Sequence, residues 1–440
     1  MPRDRGVVLV YASMSLNCRT ARVVHPGACV SDAILLLRSP NDIDGCLRRA
    51  IFVGLTRSNE DRQVVVCAMV TVYACEAFLA WDPLELRGPH PQKGFDLRED
   101  VDVVRDFRAR GVSAYHVFPI TMWSDSPPTV HDMPTLPLSG VPLAVTVVCN
   151  ETGTYLTRES DRFGFNNPDE QWDRPVEVAL VGDSFAEGWC VPREQSFAGL
   201  IRHAIPATLN VGYTSHGPLA ELGTLREYIE PRHPAHVFWF FYEGNDLTTD
   251  LSREMKSDIL RRYLEPGFNQ HLGEHAVELG EDMRRLYDAR LANLEPTPAS
   301  SWLMGIAKLR TSRALINAVR ARQNSHVEQA DGREDLRRIL AEAKRTVEEW
   351  GGSLHFVYLP DFFRVIGEGD PTNHDRVLAL AADLGLPIID LLPDFAKHPS
   401  PRSLFPYEEA RHLVRTRGVH YNAAGHRLVA QRVIDVMDKN

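Results

Sequence analysis

The 440-residue chain has no basic cluster: 49 Lys and Arg stand against 59 Asp and Glu, a formal charge of −10. Nucleic-acid binders need a basic patch for the phosphate backbone, so that class is excluded. No low-complexity tract and no fixed-period repeat is present, which removes linker-like and solenoid architectures. Neither HExxH nor paired CxxC spacing occurs, so no metal is implied. No Gly-rich loop opens the first sheet helix, which argues against a flavin- or nucleotide-binding fold, and no cofactor is expected. Cysteine is scarce: of seven, Cys149 and Cys190 alone lie beyond residue 81. What remains, 44% apolar and 25% charged residues, is the composition of an ordinary folded protein long enough for a large core and more than one structural unit.

One long apolar run stands out. Val64–Trp81, "VVVCAMVTVYACEAFLAW", carries a single charge, Glu76. Its length suits a short or tilted membrane span, with a buried core helix or strand pair as the lesser alternative. Arg48, Arg49, Arg57 and Arg62 precede it, while Arg87 and Lys93 follow, so the positive-inside bias sets the N-terminus in the cytoplasm and residues 82–440 outside. The small residues in Ala74-Cys75-Glu76-Ala77 also allow a cleaved export signal. Residues 1–63 form an N-terminal extension without usable periodicity. Cys149 and Cys190 can pair as a disulfide, tying the loop before the sheet to a segment six residues after Ser184, or remain free thiols.

Residues 82–144 read as a small lead-in segment, with a helix over Leu97–Gly111. From 145 onward strands and helices alternate. Val176–Val181, Thr208–Val211, His236–Tyr242, Ser353–Leu359 and Pro387–Leu392 read as strands. Helices are expected over Pro192–Ile205, from Pro218 at a favoured first-turn position, and over Asn422–Lys439. This order predicts an α/β fold, a parallel sheet covered by helices on both faces. Residues 251–350 read as a helical insertion, either a lid or a solvated bundle.

The strand ends carry the chemistry. The first strand ends in Gly182-Asp183-Ser184, the second leads through Asn210-Val211-Gly212 to Ser215-His216-Gly217, and the third ends in Glu243-Gly244-Asn245-Asp246. His420 stands just ahead of the last helix. In a doubly wound sheet all four sets can meet at the carboxyl edge. Acyl transfer fits them: Ser184 attacks an ester carbonyl, His420 takes its proton, and Asn245 with backbone N–H groups holds the oxyanion. Asp183 and Asp246 are expected to pin turns by local hydrogen bonds. His216 is a candidate substrate contact, and His426 a packing or surface residue.

These segments, "GDSF" at 182–185, "NVGYTSHG" at 210–217, "EGND" at 243–246 and "VHYNAAGH" at 419–426, resemble the SGNH (GDSL-type) hydrolase superfamily over roughly residues 145–440. A lead-in "CNETG…SDRFGFNNP" over 149–168 resembles bacterial membrane-anchored members of unknown substrate. The resemblance implies a flavodoxin-like α/β/α sandwich with Ser184 as nucleophile, His420 as base, and Ser184, Ser215 and Asn245 at the oxyanion hole, with Gly212 in support. It also implies a serine esterase or O-acyltransferase of the cell envelope acting on an acylated carbohydrate or other small ester. The chain departs from the pattern twice. Arg417 stands where an Asp three residues before the His is usual, so a backbone carbonyl or an acid from elsewhere must orient His420, or the protein is an impaired module that binds acylated glycans. Glu408 and Glu409 are the acids nearest in sequence. Ser215 stands where the family has a Gly, which costs little unless the backbone there needs a positive φ.

Overall fold

Continuous apolar runs of the kind at His236–Tyr242 bury both faces of a strand, and the central sheet is built from them. The structure, a computed structural model, describes residues 70–78, then 96–368 with breaks at 97, 121–122, 124–126, 152 and 294–331, then 372–406 and 420–439. Residues 1–84 with 299–322 form one unit and 85–298 with 323–440 another. In the first, residues 70–78 are helical; the rest of the Val64–Trp81 run and the 1–63 extension lie outside the described residues. Among the described residues no helix is long and apolar enough to cross a membrane.

The second unit begins with helix α1 (Asp100–Ala109) and strand β1 (Ala114–His116), then a short hairpin of β2 (Thr129–Val130) and β3 (Met133–Pro134). Strands β4 (Val145–Cys149) and β5 (Leu156–Glu159) follow. β1, β4 and β5 form a three-stranded sheet, β4 parallel to β1 and antiparallel to β5. Next come β6 (Val178–Gly182), α2 (Ser184–Glu187), α3 (Phe197–Ala204), β7 (Thr208–Asn210) and α4 (Pro218–Thr224), the last continued by a π-helical turn over Leu225–Ile229. The chain goes on through β8 (His236–Tyr242), α5 (Leu251–Glu254), α6 (Ala276–Asn293), α7 (Arg333–Glu349), β9 (Ser353–Leu359), α8 (Thr372–Asp383), β10 (Ile388–Asp390) and α9 (Ala423–Met437).

The five-stranded sheet runs β10-β9-β8-β6-β7, every pair parallel. The first strand in sequence, β6, lies between the second and third, the flavodoxin-like order with its switch point beside β6. Alternation along the strands sends side chains to opposite faces. Ala179, Val181, Val237, Trp239 and Phe356 join one core, with Leu336, Ile339, Leu340 and Val347 of α7 packed there. Val178, Leu180, Phe238, Phe240 and Val357 join the other, with Phe197 and Ile201 of α3 and Val429 and Val433 of α9.

The segment read as a helical insertion, 251–350, holds helices α5, α6 and α7. Its last stretch, α7, is the crossover helix that joins β8 to β9. Its Leu-Ile-Leu stripe is buried, while the Arg and Glu residues on its other face give it the composition of a solvated helix. The Leu97–Gly111 helix is shorter at both ends, at Asp100–Ala109, and the Asn422–Lys439 helix starts after Asn422, which caps it.

Candidate active site

β6 ends at Gly182, and α2 starts two residues later with Ser184 in its first turn. Asp183 is the cap: its Oδ1 accepts the Phe185 N–H at 2.8 Å. α2 closes quickly because Gly188 takes a left-handed conformation (φ 85°). The Gly188 and Trp189 N–H groups then both donate to the Ser184 carbonyl, at 3.2 and 3.0 Å. The nucleophile candidate therefore sits on a one-turn helix held at both ends.

His420 reaches it from the far end of the chain. Its Nε2 lies 2.9 Å from Ser184 Oγ. Neighbours fix its backbone: Tyr421 is buried, with its hydroxyl donating to the Pro360 carbonyl at 2.7 Å, and Asn422 Oδ1 accepts from the Ala424 and Gly425 N–H groups at 2.9 and 3.2 Å. The imidazole packs beside Phe185 and Trp189, with ring centroids 4.8 and 5.5 Å away.

The group that orients His420 is Glu151. Its Oε1 lies 2.9 Å from His420 Nδ1, and the Trp189 indole N–H donates to the same oxygen at 3.0 Å. A carboxylate only accepts, so the imidazole proton belongs on Nδ1, and Nε2 is left to accept from the Ser184 hydroxyl. Sequence reasoning missed Glu151. The signal it left was slight: an acid two residues after one of the two late cysteines. Arg417, Glu408 and Glu409 lie outside the described residues. Cys149 and Cys190 are disulfide-bonded, with Cα atoms 5.6 Å apart.

The loop after β7 is strapped to β6: Val211 N–H donates to the Leu180 carbonyl at 2.9 Å and Tyr213 N–H to the Gly182 carbonyl at 3.1 Å. Gly212 allows this approach, since a Cβ there would lie 2.4 Å from Ala186 Cβ; its own N–H donates to Asn210 Oδ1 at 3.0 Å. A tight turn follows, closed by His216 N–H donating to the Tyr213 carbonyl at 3.3 Å, with Ser215 at φ 61°. The position therefore does require the left-handed backbone that a glycine adopts freely. His216 is fully buried beneath this turn, its ring against Tyr213 and its Nδ1 3.4 Å from Thr224 Oγ1. Burial pushes its pKa down to about 3. It supports the loop and is not placed to contact substrate. His426 is buried too, and its Nδ1 accepts the Phe197 N–H at 3.1 Å.

Asn245 follows β8, the strand on the other side of β6. Its Nδ2 donates one hydrogen to Asp250 Oδ2 at 2.5 Å, leaving the second for another acceptor. Arg253 pairs with Asp250 and lies 3.5 Å from the Ser215 carbonyl, so one ion pair spans the two candidate oxyanion elements. Behind them is a set of buried acids. Asp183 is pushed up to about 8, Glu254 to about 8 and Asp250 to about 6, with Glu221 and Asp246 raised well above the carboxylate range, all chiefly by burial. Asp246 Oδ2 accepts the Tyr242 N–H at 2.7 Å, and Glu254 caps α4 by accepting from Gly217, Leu219 and Ala220.

No protein-family model matches the sequence, and no curated protein does. Solved structures are similar over about 60% of the chain. They include a lipase/acylhydrolase from Enterococcus faecalis (13% identity, 60% of this chain and 95% of that one, TM-score 0.34) and the acetyl xylan esterase AlAXEase (14%, 59% and 99%, TM-score 0.34). A two-domain esterase active on acetylated mannans is another (13%, 60% and 49%, TM-score 0.29).

Proposed function

We propose that the protein is a serine carboxylic-ester hydrolase in which Ser184, His420 and Glu151 form the catalytic triad. The observation that carries this is the continuous relay from Ser184 Oγ through His420 to Glu151 Oε1, each contact 2.9 Å. Ser184 Oγ adds to the ester carbonyl carbon as its proton passes to His420 Nε2. The oxyanion accepts hydrogen bonds from the Ser184 and Ser215 N–H groups and the free Asn245 amide hydrogen. The intermediate collapses to acyl-Ser184, and the leaving alcohol takes the proton from His420. Glu151 holds the ring in the required tautomer and stabilises the imidazolium.

Water or a sugar hydroxyl can then take the acyl group, so hydrolysis and O-acyl transfer share every residue named here. An O-acylated carbohydrate is the substrate class to test first, as the sequence motifs suggest, and the disulfide favours an oxidising compartment outside the cytoplasm. Glu151 also weighs against an impaired glycan-binding module, because it does the work of the acid that Arg417 displaces.

The test is intact mass of the purified full chain after treatment with a fluorophosphonate, beside Ser184→Ala. One adduct on the wild type and none on the variant is the expected result. An unlabelled wild type with a cooperative thermal melt would overturn the proposal.

A further inference from the structure

We infer that the Cys149–Cys190 disulfide and Trp189 are positioning residues that hold Glu151 against His420, so that turnover requires the oxidised protein. The inference rests on the triad proposed above and adds what keeps it assembled. Glu151 lies in the loop between β4 and β5, and a loop alone places a carboxylate less accurately than a helix or strand does.

Residues 189–190 reach Glu151 and its loop by three contacts. Cys149, at the end of β4, is covalently bonded to Cys190. The Glu151 backbone N–H points at Cys190 Sγ, 3.3 Å away. The Trp189 indole N–H donates to the Oε1 that His420 uses. Residues 189–190 are also tied to the nucleophile, since the Trp189 N–H donates to the Ser184 carbonyl. Cys190 takes a left-handed backbone (φ 57°) to turn its sulfur toward β4. The segment 184–190 thus carries the nucleophile at one end and the anchor of the acid at the other.

Reduction by a dithiol transfers two electrons and two protons to the disulfide, leaving Cys149 and Cys190 as thiols and the dithiol oxidised to its own disulfide. The covalent tie two residues before Glu151 is then gone, while the indole contact stays. A displacement of about 1 Å in such a relay costs roughly 100-fold in rate.

The experiment measures kcat and KM of aryl-ester hydrolysis for the full chain before and after dithiothreitol, with Cys149→Ala/Cys190→Ala and Trp189→Phe alongside. Thiol content after denaturing alkylation reports whether reduction occurred; the double variant gives the same test if it did not. The expected result is a fall in kcat of about 100-fold for the double variant and the reduced wild type, with KM within about twofold. In Glu151→Gln, dithiothreitol should change nothing further, since the group being positioned is already gone. Wild-type kcat in the double variant would overturn the inference while leaving the triad intact. An equal further loss in Glu151→Gln would also overturn it, by showing that the disulfide only stabilises the fold. A fully active Ser184→Ala would instead sink the triad.

Discussion

The Glu151 carboxylate lies 2.9 Å from His420 Nδ1 although the two residues are 269 positions apart in the chain. One comes from the loop after β4, outside the central sheet, and the other from the turn into α9. Their meeting accounts for a base that has Arg417 where an acid is usual. Glu151→Gln keeps the shape and can still accept through its amide oxygen, but it removes the charge that balances the imidazolium. Its kcat should fall by about 10³- to 10⁴-fold, with KM little changed. Steady-state kinetics on an aryl ester checks this, and kcat within about tenfold of wild type would remove Glu151 from the triad.

Asn245 and Asp250 should act on kcat together. Asn245→Ala removes an oxyanion donor and should cost about 10²- to 10³-fold in kcat. Asp250→Asn keeps the size of the side chain but weakens its hold on the Asn245 amide and its pairing with Arg253. A smaller loss is expected there, and almost none when Asn245 is already Ala. That non-additivity, read from a double-mutant cycle, separates positioning from general destabilisation.

Ser215→Gly should raise stability. At φ 61° a side chain costs roughly 1 kcal/mol relative to glycine, and the Ser215 hydroxyl makes no hydrogen bond among the described residues to offset it. Thermal unfolding should shift upward by the equivalent of about 1 kcal/mol, with kcat retained, because the donor is the backbone N–H. A lower melting temperature would mean that the serine side chain is holding the turn.

The sheet was legible where burial is uniform. β8 and β9 occupy the ranges read from the sequence, because a strand covered on both faces is apolar throughout and stops where the polarity changes. α7 was folded into the insertion because its stripe of Leu336, Ile339, Leu340 and Val347 sits within a highly charged segment, and the charge dominates its composition. Ser184, Asn245 and His420 stand at strand or helix ends, where topology alone predicts a meeting. Glu151 does not: it lies on a loop of the smaller sheet, and only the folded chain brings it under the imidazole. The strain at Ser215 was conditional on a backbone angle that sequence does not encode.

The buried acids around the nucleophile turn make the final prediction, on stability rather than rate. Asp183 is fully buried, with Asp250 and Glu187 adding their charge to the cost of burial, and its pKa is raised from 3.8 to about 8. The folded protein therefore holds a proton at Asp183 that the unfolded chain releases above about pH 4. This contribution is fully present below the unfolded pKa and is lost as pH rises toward 8, at about 1.4 kcal/mol per pH unit per proton. Asp183→Asn mimics the protonated acid and keeps an oxygen for the Phe185 N–H, so it removes the dependence without removing the cap. Wild type should lose stability relative to Asp183→Asn as pH is raised from 5 to about 8. Buried His216 and His426, both pushed down to about 3, destabilise both proteins alike as pH falls below their unfolded values, and so cancel in the difference. Parallel stability-versus-pH curves for the two proteins would show instead that Asp183 is ionised in the folded state.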